Sequence, residues 1–133
     1  MKIINSRPPN FEAITKVFPI VLERLGILYA WDDTIFNPDG VEIPPALIAH
    51  EEVHSERQQG KPDVWWDQYL ETKLFRFEEE LYAHRAEYRH ALKEIKDRNQ
   101  RNSYLMACAR RLAGPLYGYC CSVPQAITLI KEP

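Results

Sequence analysis

IAHEEVHSERQ, residues 48–58, contains the pattern H-E-x-x-H from His50 to His54. A helix advances about 100° per residue. With His50 at zero, His54 lies at about +40°, Leu47 at about +60°, Ala46 at about −40° and Val53 at about −60°. The two imidazoles therefore share an arc bounded by apolar residues. Glu52 faces the opposite way, and Glu51 falls at about +100°, on the edge of the histidine face. Imidazoles at i and i+4 can both reach one ion at about 2.0–2.1 Å. The carboxylate between them can reach a water on that ion without displacing it. The competing reading is a pair of buried histidines, each satisfied by hydrogen bonds. Two of the chain's four histidines fall in this one pattern, on an apolar-flanked face, and that favours a metal, zinc in particular.

Working outward, Pro44 and Pro45 open this helix at about residue 45, and Gly60 closes it after about residue 59. Before it, TIF (34–36) and VEI (41–43) are rich in β-branched residues and flank NPDG, a four-residue connection in which Gly40 takes positive φ. A small hairpin is expected there. Asn10 can cap a first helix running to about Leu25, interrupted at Pro19. After it, Pro62-Asp63 begins a helical pattern that either runs into or abuts a long helix over about 76–98. Asn102 or Ser103 caps a helix to about Ala113, GPLYG (114–118) is a loop, and Ser122 with Pro124 opens a short C-terminal helix.

Catalytic zinc usually takes three protein ligands. The third is sought on FEEELYAHRAEYRHAL, residues 77–92. With Glu80 at zero, Phe77, Leu81, His84, Tyr88, Ala91, Leu92 and Ile95 form the core stripe between about +20° and +120°. Glu80, His84 and Glu87 share a narrow strip at about 0°, +40° and −20°, whereas Glu79 points away at about −100° and reads as solvated. Carboxylates beside a core face need partners, because an isolated buried charge is strongly disfavoured. Glu80 is the first choice as third ligand, with His84 and Glu87 as alternative ligands or as residues that orient the histidines. Surface pairs such as Glu80–His84 and Glu87–His90 are the competing account, and they explain His84 on the apolar stripe poorly.

H-E-x-x-H followed on a later helix by E-x-x-A-[DH], here Glu80-Leu81-Tyr82-Ala83-His84, resembles the gluzincin zinc metallopeptidases, thermolysin-like in the broad sense. The likeness covers roughly residues 34–92 and is closest in character to short stand-alone peptidase-like proteins of bacterial and phage genomes. It implies a zincin-like minimal domain of the α+β class, mostly helical, with an active-site helix, a long helix carrying the glutamate ligand, and a small β-hairpin. It further implies His50, His54 and Glu80 as zinc ligands and Glu51 as general base. Asp often stands in the family where this chain has His84, as the partner of a zinc ligand. An edge strand above the cleft pairs with extended substrate in such folds, and Thr34, Ile35 and Phe36 are the candidates here; an ordinary solvent-exposed hairpin is the alternative.

The expected chemistry is peptide-bond hydrolysis on a peptide or protein substrate. The oxyanion needs a donor besides zinc, and Tyr88, His90, Tyr104, Arg110, Arg111, Tyr117 and Tyr119 are candidates. Trp65, Trp66 and Tyr69 read as filling between helices, with a binding platform as the alternative. The alternatives are a catalytically silent zinc scaffold or interaction module of the same fold, and, more remotely, a helical module without metal.

Bulk properties limit the other classes. At 133 residues, one domain over 1–133 is expected. A net charge of −2 gives no electrostatic case for nucleic acid or an anionic membrane. The best apolar run, VFPIVLERLGILYAW, is cut by Glu23 and Arg24. The N-terminal MKIINSRPPN lacks a signal-peptide pattern, so a cytoplasmic location is expected. Three cysteines clustered late in the chain do not form a disulfide framework.

Overall fold

The computed structural model describes residues 1–132. The chain is mostly helical with one small sheet, an α+β arrangement. The order is β1 (Lys2–Ile4), α1 (Phe11–Val17), β2 (Tyr29–Trp31), β3 (Thr34–Phe36), α2 (Pro45–Gln58), α3 (Pro62–Glu71), α4 (Lys73–Glu94), α5 (Arg98–Leu112) and α6 (Val123–Lys131). Short 3-10 turns occupy Pro19–Leu22 and Pro115–Tyr117.

Helix boundaries follow local chemistry. Pro44 and Pro45 start α2, and Gln59 and Gly60, both at positive φ, end it. The expected first helix stops at Val17, because Pro19 cannot continue the ladder and the chain tightens into the 3-10 turn. Thr72, in extended conformation, separates α3 from α4. α4 ends at Glu94, earlier than expected, where the Arg101 guanidinium donates to the Leu92 and Ile95 carbonyls. α5 starts earlier than Asn102 because Asp97 is the cap, its carboxylate accepting from Gln100 N at 2.9 Å. Ser122 and Gln125 form a reciprocal capping box on α6.

The sheet corrects the expected hairpin. Its strand order is β1-β3-β2, with β1 parallel and β2 antiparallel to β3. Residues 41–43 form no strand. The NPDG turn does form: Gly40 has φ +62, and the Asn37 side chain both accepts from Val41 N and donates to Val41 O. Those two bonds satisfy the backbone that a strand partner would have engaged. The actual hairpin turns at Asp32-Asp33, with Asp32 at φ 54. Thr34, Ile35 and Phe36 are thus the central strand, paired on both sides, and not the expected edge strand for substrate.

Two apolar clusters flank the middle of the molecule. One joins α4 to α5 and α6 through Phe77, Leu81, Leu105, Leu112, Ala126 and Ile130. The other gathers Ile14, Tyr29, Trp65 and Trp66 with half-buried aromatic neighbours, among them Phe11, Phe18 and Tyr69. α2 packs most extensively against α4. Gln58 anchors the end of α2 to the hairpin, donating to the Ala30 carbonyl and accepting from Asp32 N, and the Ser55 hydroxyl donates to the Asp32 carbonyl.

Candidate metal centre

α2 buries His50, Glu51, His54 and Gln58, and α4 buries Glu79, Glu80, His84 and Glu87. The i,i+4 spacing brings the Nε2 atoms of His50 and His54 to 3.2 Å from each other. Glu80 closes the triangle, with Oε1 at 3.1 Å from His50 Nε2 and Oε2 at 3.3 Å from His54 Nε2. Tetrahedral ligands at the zinc–nitrogen bond length stand about 3.3–3.4 Å apart. The three donors therefore already have nearly the mutual spacing of one face of a tetrahedral site. Two hydrogen-bonding nitrogens and a carboxylate in so tight a buried triangle fit a divalent cation, and these three residues can hold one.

Glu87 orients the site. It is fully buried, and its Oε1 receives His50 Nδ1 at 2.8 Å and His84 Nδ1 at 3.1 Å. Its Oε2 accepts from the Tyr104 hydroxyl at 2.7 Å and the Cys108 thiol at 3.5 Å, both on α5. A carboxylate on Nδ1 fixes the His50 ring and turns its Nε2 toward the triangle. The carboxylate that meets His50 Nδ1 thus stands one helical turn after His84, and His84 is a second donor to it. His50, His84 and Glu87 also lie close enough to form a second potential ligand group. The hydrogen bonds among them already account for that arrangement, apart from His84 Nε2, which like His54 Nδ1 is buried without a partner.

Tyr69, expected as packing in preference to a binding platform, donates from its hydroxyl to Glu80 Oε2 at 2.7 Å. Glu79, expected to be solvated, is buried and accepts from Arg57 Nε at 2.8–2.9 Å and from the Trp65 indole at 2.6 Å. The need of a buried indole for an acceptor was the signal for Glu79; no spacing rule pointed to Tyr69. Arg76 lies in no motif that marks it in the sequence. Its buried guanidinium donates to the carbonyls of Tyr69 (2.8 Å), Leu70 (3.0 Å) and Leu116 (2.7 Å), joining the end of α3 to the 3-10 turn that carries Tyr117.

The electrostatics follow from burial and these contacts. Burial pushes the His50 imidazole down, but its hydrogen bonds to Glu80 and Glu87 outweigh this and hold it at about 10 without an ion. Burial would raise Glu80 and Glu87, yet the facing histidines keep both carboxyls below the usual range. Glu51 is raised, chiefly by burial and against the pull of His54 and His50. Burial also raises Tyr69 and Tyr117 well above an ordinary phenol, with Glu80 adding to both, so both remain donors.

A cavity of about 320 Å³ opens on the triangle and is lined by His50, Glu51, His54 and Glu80. No side chain among the described residues donates to the Glu51 carboxyl, which faces this space. Of the expected oxyanion donors, Arg111 and Tyr117 line it. Tyr104 is turned to Glu87, His90 pairs with Glu94 at 3.4 Å, Tyr88 packs on the α5–α6 core, and Arg110 and Tyr119 are exposed. Tyr29 and Ala30 of the edge strand β2 also border the cavity, but the Ala30 carbonyl already accepts from Gln58 and the Trp66 indole. Among the described residues no helix is long and apolar enough to cross a membrane. No protein-family model matches the chain, nor does any curated protein or solved structure.

Proposed function

We propose that the protein is a zinc-dependent metallopeptidase of the gluzincin type, a zincin-like minimal domain that hydrolyses peptide bonds. One observation carries the reading. His50, His54 and Glu80 stand 3.1–3.3 Å apart at the wall of a cavity into which the unpartnered carboxyl of Glu51 faces. The three donors would hold the zinc ion, which when bound acidifies a water and polarises a carbonyl. Glu51 takes the proton of the attacking water and passes it to the departing amine, as the C–N bond breaks and the hydroxyl stays on the acyl carbon. Tyr117, which lines the cavity and is held as a phenol by burial, would donate to the developing oxyanion. A purely structural zinc site would close its fourth position with a protein ligand; here that side of the triangle is open to the cavity.

The test is zinc content together with cleavage. Protein purified without a metal-affinity tag is expected to bind one equivalent of zinc and to cleave members of an unbiased peptide pool. Glu51→Gln should keep the zinc and lose about 10²–10⁴-fold in rate, the worth of a general base. Absence of stoichiometric zinc would end the metal reading. Zinc without cleavage would make the centre a structural one.

A further inference from the structure

The cavity has an uneven charge. Its apolar wall comes from the first 3-10 turn and its flanks, from the start of β2 and from α3, with Phe18, Val21, Leu28 and Trp66 among the lining side chains. Three arginines from separate segments line the same space. Arg76 is buried and held in place by bonds from all three of its nitrogens to carbonyls. The other two are not. Arg24 makes no ion pair or hydrogen bond among the described residues. The nearest carboxylate to Arg111 is Glu87 at 3.9 Å, whose Oε2 already takes the Tyr104 hydroxyl, and its Nε has only a long contact of 3.5 Å to the Ala107 carbonyl. The Arg111 side chain is 55% exposed. Elsewhere in the chain, Arg57, Arg85 and Arg101 are each committed to carboxylates or carbonyls.

Guanidinium groups read carboxylates through paired, charge-assisted hydrogen bonds, and such bonds gain strength beside a low-dielectric wall. We infer that the substrate of this site is a peptide presenting a carboxylate next to a bulky apolar residue, the apolar group seated against Phe18, Val21 and Trp66 and the carboxylate taken by Arg24 and Arg111. This rests on the hydrolase reading for its catalytic meaning and names the substrate class of the same site. The carboxylate has two possible sources, a free C-terminus or an Asp or Glu side chain.

Binding tests the inference apart from catalysis. Zinc-loaded Glu51→Gln protein is titrated with three matched short peptides, each carrying the same bulky apolar residue. One is a free acid, one its C-terminal amide, and one an amide with Asp beside the apolar residue. Fluorescence of Trp65 and Trp66 reports occupancy. The free acid or the Asp-bearing amide is expected to bind about 10–100-fold more tightly than the plain amide, the scale of one or two charge-assisted hydrogen bonds. Whichever of the two binds better identifies the source. The preference should weaken as salt is raised, and Arg24→Gln with Arg111→Gln together should bring it toward one, while Arg→Lys at both positions keeps part of it. Equal binding of all three peptides, or a preference untouched by the double substitution, overturns the inference. Hydrolysis by the wild type is read separately. Selective binding with no cleavage leaves the carboxylate-reading pocket standing and sinks the hydrolase. Cleavage with no carboxylate preference does the reverse.

Discussion

α4 has two buried faces of opposite character. Toward α5 and α6 it presents Phe77 and Leu81 to Leu105, Leu112, Ala126 and Ile130, an apolar contact that stabilises by removing hydrocarbon from water. Toward α2 it presents Glu80, His84 and Glu87 to His50, Glu51 and His54, and Ala46 is the only apolar residue among those α2 buries. The more extensive of the two contacts is therefore the polar one. Taking six ionisable side chains out of water is expensive; contacts outweigh burial at His50, Glu80 and Glu87, whereas burial wins at Glu51 and His84. A face built this way depends on the close mutual spacing of its charged groups, whereas the apolar face beside it depends on area alone.

The largest expected effect separates the two faces by what zinc does to each. Leu112→Ala should cost about 2–5 kcal/mol of unfolding free energy, the usual range for a buried leucine, and should leave the increment from added zinc intact. In the wild type that increment should reach about 4 kcal/mol at a thousandfold excess over Kd. Glu80→Ala should remove most of it. Urea unfolding with zinc and with chelator checks both variants. A zinc increment that survives Glu80→Ala would break the ligand assignment.

A smaller effect probes the hub behind His50. Glu87→Gln should weaken zinc about 10–100-fold, measured by competition with a chromophoric chelator, since it removes the charge that orients the ligand. Tyr104→Phe deletes one of the donors to Glu87 and should weaken zinc by less than Glu87→Gln does. If the two variants are equal to the wild type, Glu87 serves packing alone.

The comparison is sharpened further by a pair of opposed pH slopes. Without metal, His50 is held up at about 10 against an ordinary 6.5, so its contribution to stability is complete below about 6.5 and is lost as pH rises through 10. Glu80 and Glu87 are held below 4.5, so their contribution is present above that value and is lost as pH falls toward their folded values. The raised Glu51 contributes below 4.5 and loses this as pH rises. His50, Glu80 and Glu87 together therefore favour the metal-free protein between about 4.5 and 6.5, while the raised Glu51 favours lower pH and His84, lowered by burial, favours higher pH. Zinc must displace the His50 proton, so its affinity should rise with pH while metal-free stability falls, and its uptake should release a proton. Thermal melts and calorimetry in buffers of different ionisation enthalpy would show whether the slopes do oppose.

How much of this was legible depended on how local each feature is. His50, Glu51 and His54 lie within one helical turn and a half, and the wheel alone places them on one edge. Glu80 and Glu87 fall in the same narrow strip, and nothing in the sequence fixes how far α4 slides along α2. That offset decides which carboxylate meets Nε2 and which meets Nδ1. The hairpin was misread for a similar reason. The turn chemistry of Asn37 and Gly40 was correct, but the partners of Thr34–Phe36 are Tyr29–Trp31 and the distant Lys2–Ile4, and the second pairing is invisible to any local pattern. Glu79 was misplaced because angle on a wheel cannot foresee that α3 folds back to cover that flank with Trp65.

Arg76 works as a hinge pin. Tyr69 and Tyr117 come from segments separated by the whole of α4 and α5, yet a single guanidinium holds the carbonyls that position both. Withdrawing that pin would let the two phenols drift together, one from Glu80 and one from the cavity mouth. The Gly114–Gly118 connection is consequently held to a narrow length. A residue inserted there would move the Leu116 carbonyl off the pin and loosen a centre whose own ligands it never touches.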